Sequence, residues 1–453
     1  MPLQKNQIIE LQITGTSAEG FGVGRFEGQC VFVPGAAKGD LLSVHVIKIT
    51  KKLAYGKIEK IIEPSLYRQE IDCTIFHQCG GCVYRHIKYE QECEIKYQRV
   101  KDALERIGHI DTPVDPVIKC ENFKGYRNKA QYPVQSDGET VKIGFYAAHS
   151  HRIIDCTACH LQPDVFNDIV IVCREWIVQE KISCYDEISG TGLLRHIYLR
   201  IAAATKDVMV CLVANGKHIP KSDLLISRLT EAFSQIKSIQ LNINCEKTNV
   251  ILGKKCVTLW GQAYITDILC GCKFCISPLS FYQVNHAQAE KLYRLAQDYA
   301  GLTGKEVLLD LYCGTGTIGI TMARKVKKLI GVEIVPQAVA DAKQNAQINE
   351  ITNAEFICSD ASTAALELEE RGIHPDVIIL DPPRKGCNSD LIAITARMEP
   401  GRIVYVSCDP ATLARDLALF LEKDYQTVKV TPVDMFPRTP HVETVCLLSR
   451  KDK

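Results

Sequence analysis

From about residue 265 the chain alternates short apolar runs with helical stretches, and no other feature constrains its fold as tightly. The apolar runs fall at 307–312, 329–333, 355–358, 377–380 and 403–407, with helical stretches such as 337–349 and 411–422 between them. Short strands without polar alternation are buried on both faces. The pattern therefore predicts a parallel sheet covered by helices on each side. Two further runs, 427–434 and 444–449, predict an antiparallel hairpin at one edge. Asn285 is placed to cap a helix reaching Gly301.

The rest of the chain reads differently. With 453 residues, more than one domain is expected. Residues 1–63 carry β-rich runs at 7–14, 29–33, 41–49 and 55–62, punctuated by glycines, which predicts a small closed barrel. Residues 64–264 are mixed α+β, with a charged helix at 90–107. Residues 265–453 form the Rossmann-like unit, and the stretch around 90–118 is expected to pack on it. Lys plus Arg is 54 against 53 Asp plus Glu, a net charge of +1. Wholesale basicity is thereby excluded, and any nucleic-acid binding must use local surfaces. The candidates are the lysines at 48, 51, 52, 57 and 60, and Arg127 with Lys129. No apolar stretch approaches the roughly 18 residues of a membrane span. The start lacks a secretory pattern, so a cytoplasmic location without membrane contact is expected.

Asp310-Leu-Tyr312-Cys-Gly314-Thr-Gly316-Thr-Ile-Gly319 follows the first strand of the alternating region. Glycines there allow a sharp turn and close approach of a ligand. Glu333 ends the next strand, where an acid can accept hydrogen bonds from ribose hydroxyls. The glycine spacing admits a dinucleotide. The terminal hairpin and Asp381-Pro-Pro-Arg384 at a strand end favour S-adenosylmethionine. Asp381 is aimed at the carboxyl edge of the sheet, where open α/β sheets bind ligands.

Ser407-Cys408-Asp409-Pro410 closes another strand. Asp409 suits a helix N-cap and Pro410 the first helical position. Cys408 thus precedes a helix N-terminus, which is expected to lower its thiol pKa and make it a nucleophile. In Met435–Thr444, which leads into the last strand, Glu443 or His441 could act as general base.

Cysteine is abundant, at 21 residues. In a reducing compartment most would be small buried hydrophobes. Cys73, Cys79 and Cys82 form a C-x5-C-x2-C set that needs a fourth ligand, and Cys156 and Cys159 are the options. Four thiolates suit zinc or an iron–sulfur cluster, and spacing alone does not choose. Cys270, Cys272 and Cys275, in an apparent hairpin, are read as structural.

The motifs DPPRKG at 381–386, VYVSCDPATLARD at 404–416, MFPRTPHVET at 435–444, SFYQVN at 280–285 and DLYCGTGTIG together resemble the RNA uracil-5-methyltransferases. The barrel resembles a TRAM domain, an RNA-binding module, and the cysteine set resembles the iron–sulfur site of the branch that modifies 23S rRNA. The tRNA-modifying branch typically lacks both additions, so the resemblance implies 23S rRNA as substrate and partner, with no obligate protein partner.

It also implies roles. Cys408 adds to uracil carbon 6 and Glu443 removes the carbon-5 proton. Gln283, Tyr312, Glu333 and Asp381 contact S-adenosylmethionine. Phe281 lies where an aromatic could stack near a flipped base. Cys73, Cys79, Cys82 and Cys159 hold a [4Fe–4S] cluster, Cys159 being chosen because the family's ligand shortly precedes a Leu/Ile-Gln pair. Asp409 replaces an Asn common in the family. Three readings compete: cytosine-5 methylation, methylation of a tRNA uridine, and a non-catalytic RNA-binding assembly factor.

Overall fold

The computed structural model describes residues 3–451 except Asp137 and Glu139. The N-terminal strands close into a five-stranded barrel in the order Ile8–Thr16, Gly22–Phe26, Gln29–Val33, Leu53–Glu63, Leu41–Ile49. Alternation drives closure: Ile9, Leu11, Ile13, Val31, Val33, Leu42, Val44 and Val46 point inward and are buried. The strand Gly22–Phe26 is too glycine-rich to register as a β-run. Asp40, wholly buried, fastens the barrel to the next segment. Its carboxylate accepts from Ser65 N (2.9 Å), Arg68 Nε (2.8 Å) and Ala37 N (2.6 Å).

The middle of the chain builds a seven-stranded sheet in the order Lys255–Gly261, Ile236–Ile243, Val208–Ala214, Leu194–Ile201, Lys129–Ser136, Val141–Tyr146, Ile153–Asp155. Helices Asp164–Gln179 and Ser222–Ala232 cover one face through Phe166, Ile169, Trp176, Leu225 and Leu229.

The C-terminal sheet runs Ala354–Cys358, Lys328–Glu333, Val307–Leu311, Val377–Leu380, Arg402–Ser407, Glu443–Arg450, Tyr425–Val433. The first five strands are parallel, with helices on both faces, as the alternation predicts. The last strand, Glu443–Arg450, is antiparallel to both its neighbours. It inserts beside Arg402–Ser407 and leaves Tyr425–Val433 at the edge.

Helix Tyr89–Ala103 and the turn Leu104–Gly108 lie far away in sequence but share this sheet's core. Val100, Ala103, Leu104 and Ile110 pack with Leu413, Ala414, Leu417 and Phe420. Val114 and Ile118 then bridge to Val430 and Val433, adding backbone to the sheet edge. No described helix is long and apolar enough to cross a membrane.

Candidate active site

The glycine-rich turn lies at the carboxyl end of Val307–Leu311. Gly314 and Gly316 have φ of 55° and 81°, and Tyr312, a non-glycine, has φ of 69°. Such backbone costs free energy and is retained where a site requires it. Glu333 Oε2 accepts from Gly314 N at 3.2 Å and its Oε1 from Val335 N at 2.8 Å, so the acid is fixed beside the turn. Asp381 emerges from the adjacent strand Val377–Leu380, enclosed by protein but open on one side. Burial pushes its carboxyl up to about 7.

Gln283 is buried in the segment before helix His286–Ala300. That segment is held from both sides: Asn128 Nδ2 donates to Gln283 O at 2.8 Å, and Ser280 Oγ donates to Asp341 Oδ2 at 2.9 Å on the helix behind Glu333. Asn285 caps its helix through Gln288 N, as expected. Phe281 is 64% exposed, an aromatic face presented to solvent.

Asp310 was not singled out by the motif reading, which stopped at the glycines. It is buried, and its Oδ2 accepts from Gly319 N at 2.9 Å while its Oδ1 has no partner. Burial first, then Asp381 and Glu333, push it up to about 8. Three carboxyls therefore surround the turn. A ligand carrying positive charge would favour the ionised forms of these carboxyls. The residues fit S-adenosylmethionine, with its sulfonium and amino group.

Ser407 opposes Thr444 on the last rung of the antiparallel ladder, which leaves Cys408 and Glu443 adjacent just beyond it. Asp409 caps helix Pro410–Leu421, its Oδ1 accepting from Ala411 N (2.9 Å) and Thr412 N (3.0 Å). The expected lowering of the Cys408 pKa is not found. Burial, Glu443 and Asp381 raise it to about 11, with Arg384 opposing. A helix N-terminus contributes only fractional charge, and two nearby carboxyls plus desolvation outweigh it.

Glu443 is buried, and burial and then Asp381 raise its carboxyl to about 8, again against Arg384. His441 is pushed down to about 4 by burial and by Arg384 and Arg99. Arg384 is thus a second residue that motif reading named only in passing.

Cys73, Cys79, Cys82, Cys156 and Cys159, from segments far apart in sequence, line one cavity of about 260 Å³. Arg85 Nε donates to Cys82 Sγ at 3.4 Å, and Gly81 N to Cys79 Sγ at 3.4 Å. The Cys156 thiol donates a hydrogen bond to the Cys159 sulfur, which brings Cys159 down to about 6 and raises Cys156. Arg127 and Lys129, both half-buried, line this same cavity. Burial, then Arg200 and Arg127, lower the Lys129 ammonium to about 8.

The donors fit an iron–sulfur or zinc centre in kind, with cations placed to offset thiolate charge. Among the described residues, however, no three Cys, His, Asp or Glu side chains stand arranged to hold a metal ion. Cys270, Cys272 and Cys275 do not converge. Cys270 sits in the turn of the hairpin Ile265–Leu269/Cys272–Ile276, the Cys272 Sγ contacts Ile320 O, and Cys275 accepts from Gln344.

Sheet order, glycine turn and acidic pocket define a class I S-adenosylmethionine-dependent methyltransferase with an N-terminal β-barrel. The family model described as tRNA (uracil-5-)-methyltransferase matches residues 234–451, and the TRAM domain model matches residues 2–58. An uncharacterized RNA methyltransferase of Clostridium tetani is 46% identical over 99% of this chain and 98% of its own length. One from Clostridium acetobutylicum is 45% identical over 100% and 99%.

Among solved structures, the Pyrococcus abyssi tRNA (uracil-54, C5)-methyltransferase in complex with S-adenosyl-L-homocysteine superposes with a TM-score of 0.80. It is 29% identical over 97% of this chain and 99% of that one. The chain belongs to the RNA uracil-5-methyltransferase family, enzymes that methylate carbon 5 of uracil in RNA from S-adenosylmethionine.

Proposed function

We propose that this protein methylates carbon 5 of one specific uridine in 23S rRNA, with Cys408 as nucleophile and Glu443 as base. The observation carrying the chemistry is the ladder whose last rung, Ser407 with Thr444, leaves Cys408 and Glu443 adjacent just beyond it, near enough for Glu443 to act on the thiol. Uracil carbon 5 is too weak a nucleophile unaided, and covalent addition splits one hard step into easier ones. Cys408 releases its proton to solvent, and its thiolate sulfur bonds to carbon 6, which shifts the carbon 5–carbon 6 π pair onto carbon 5. S-adenosylmethionine, when bound, supplies the methyl group that carbon 5 takes. Glu443 then accepts the carbon-5 proton, the carbon 5–carbon 6 double bond reforms, and Cys408 leaves as thiolate.

A carboxyl raised to about 8 is a stronger base than an ordinary one and lies near working pH. Gln283, Tyr312, Glu333 and Asp381 hold the cofactor, joined by Asp310, and Phe281 stacks on the extruded base. The intact Cys408, Glu443 and cofactor set disfavours the non-catalytic assembly factor, and Asp381-Pro-Pro-Arg384, standing after the fourth strand where a second motif cysteine would be expected, disfavours the cytosine-5 reading.

Cys73, Cys79, Cys82 and Cys159 would hold a [4Fe–4S] cluster after the sulfurs draw together, as metal binding commonly completes a site. The cluster would organise the segment around Arg85, since methylation needs no electron transfer. The lysines at 48, 51, 52, 57 and 60, all exposed on the barrel, would contact RNA phosphates.

The rRNA assignment rests on the resemblance of the cysteine set. A tRNA uridine is the second reading: the Pyrococcus tRNA enzyme matches 97% of this chain, so overall architecture does not separate the two substrates. Mapping 5-methyluridine in rRNA and tRNA from cells lacking the protein decides between them. Loss of a mark from 23S rRNA is expected. Loss confined to tRNA would overturn the rRNA assignment.

A further inference from the structure

The loop between strands Tyr425–Val433 and Glu443–Arg450 delivers Glu443, yet almost none of its polar backbone is satisfied by the sheet that carries it. Its carbonyls are taken by other parts of the chain. Asn285 Nδ2 donates to Met435 O (3.2 Å), Lys96 Nζ to Phe436 O (3.2 Å) and Tyr126 OH to Pro437 O (3.0 Å). Val83 N donates to Arg438 O (2.8 Å) and Arg99 to Pro440 O (2.6 Å). Arg438 N donates to Glu92 Oε1 (2.7 Å), and Arg438 has a positive φ of 71°. Backbone in that region is held only where its surroundings over-determine it.

Glu92, Lys96 and Arg99 recur at helical spacing on one face of helix Tyr89–Ala103. Lys96 Nζ also reaches Glu92 Oε1 (2.7 Å) and Asp434 Oδ1 (2.6 Å), all three fully buried. Arg99 additionally approaches Asp409 Oδ2, at 4.0 Å, on the cap that follows Cys408.

We propose that this helix face is the template that sets the base against the nucleophile, with Lys96 and Arg99 as positioning residues for Glu443. The inference rests on Glu443 being the base. Lys96 anchors the root of the loop through Asp434, and Arg99 holds its far end next to the cap of the nucleophile's helix. Neither is assigned contact with uracil or cofactor.

Replacing Lys96 would leave the buried Asp434 carboxylate with only the Tyr89 hydroxyl and Glu92 with Arg438 as its one remaining cation, which could unfold the protein. The test therefore uses Arg99, which is partly exposed. Full-length Arg99→Gln, Arg99→Lys and Glu443→Gln are compared with the wild type for turnover, KM for RNA, and covalent protein–RNA adduct on denaturing gels. With Arg99→Gln, turnover should fall on the order of ten- to a hundredfold, the cost of a base displaced by about 1 Å. KM should stay nearly unchanged, and adduct should accumulate because elimination is slowed. Arg99→Lys, which can still donate to Pro440 O, should recover part of the turnover. If Glu443→Gln traps adduct and Arg99→Gln does not, or if Arg99→Gln acts through KM alone, the template is refuted while the base assignment stands. If Glu443→Gln traps none, the base assignment itself fails.

Discussion

Asp310 accepts a hydrogen bond from the backbone of Gly319 at 2.9 Å, and no side chain fits between them. A Cβ on Gly319 would stand 2.8 Å from Asp310 Oδ2 and 2.9 Å from Leu329 Cδ1. Both atoms are buried, so neither can yield cheaply. Gly319→Ala should therefore displace Asp310 and the glycine turn together. S-adenosylmethionine affinity should drop at least about tenfold, and stability by about 1–3 kcal/mol. Calorimetric titration and thermal melting check this. Wild-type affinity in the mutant would show that Asp310 does not shape the pocket.

Cofactor affinity should rise with pH. Asp381 and Asp310 are pushed up to about 7 and about 8, mainly by burial, so both are largely protonated in the free protein below those values. A cationic ligand favours their ionised forms, so binding should release protons. Affinity should increase from about pH 6 to about pH 8.5 and then level off. Titration in buffers of different ionisation enthalpy measures the released protons, and Asp381→Asn should reduce their number. A pH-independent affinity would contradict the acidic-pocket reading.

Cys408→Ala should abolish methylation while leaving cofactor affinity intact, because Cys408 is not among the carboxyls and glycines that form the pocket. Single-turnover transfer of labelled methyl to an rRNA fragment tests it. Substantial transfer by the mutant would remove Cys408 from the nucleophile role.

The rate should also report the unusual thiol and carboxyl. Glu443 must be ionised to accept a proton, and its carboxyl is raised to about 8. The rate therefore falls as pH drops below that value. Cys408, raised to about 11, gains thiolate over the same range, so both effects act in one direction. In wild type, kcat/KM should climb between about pH 6 and about pH 8. A rate that falls with rising pH in this window would exclude both assignments.

Protein purified without oxygen should be brown, with about four iron and four sulfide per chain. Cys73→Ser, Cys79→Ser and Cys82→Ser should bleach it, and Cys159→Ser more than Cys156→Ser. Stoichiometric zinc without iron would replace the cluster by a zinc site. On the barrel, changing Lys51, Lys52, Lys57 and Lys60 to Gln should weaken RNA binding and flatten its salt dependence by about 0.7 in slope per lost phosphate contact. Unchanged slopes would show that this face does not touch RNA.

Much of this protein was legible from local physics. Strand–helix alternation predicted the parallel sheet, glycine-punctuated β-rich runs predicted the barrel, and the caps at Asn285 and Asp409 fall where short polar side chains precede apolar helices. These signals are readable because each depends on a few neighbouring residues. Tertiary structure alone decided the rest. Insertion of Glu443–Arg450 beside Arg402–Ser407 brings Glu443 to Cys408, and the same residues at the sheet's outer edge would have kept them apart. The Cys408 pKa rises rather than falls because burial, and then the Glu443 and Asp381 carboxyls from two other strands, outweigh the helix terminus. Lys96 meets Asp434 although they are 338 residues apart. Strand order, charge proximity and burial are set by packing among distant segments, and no local period or turn preference in the sequence encodes them.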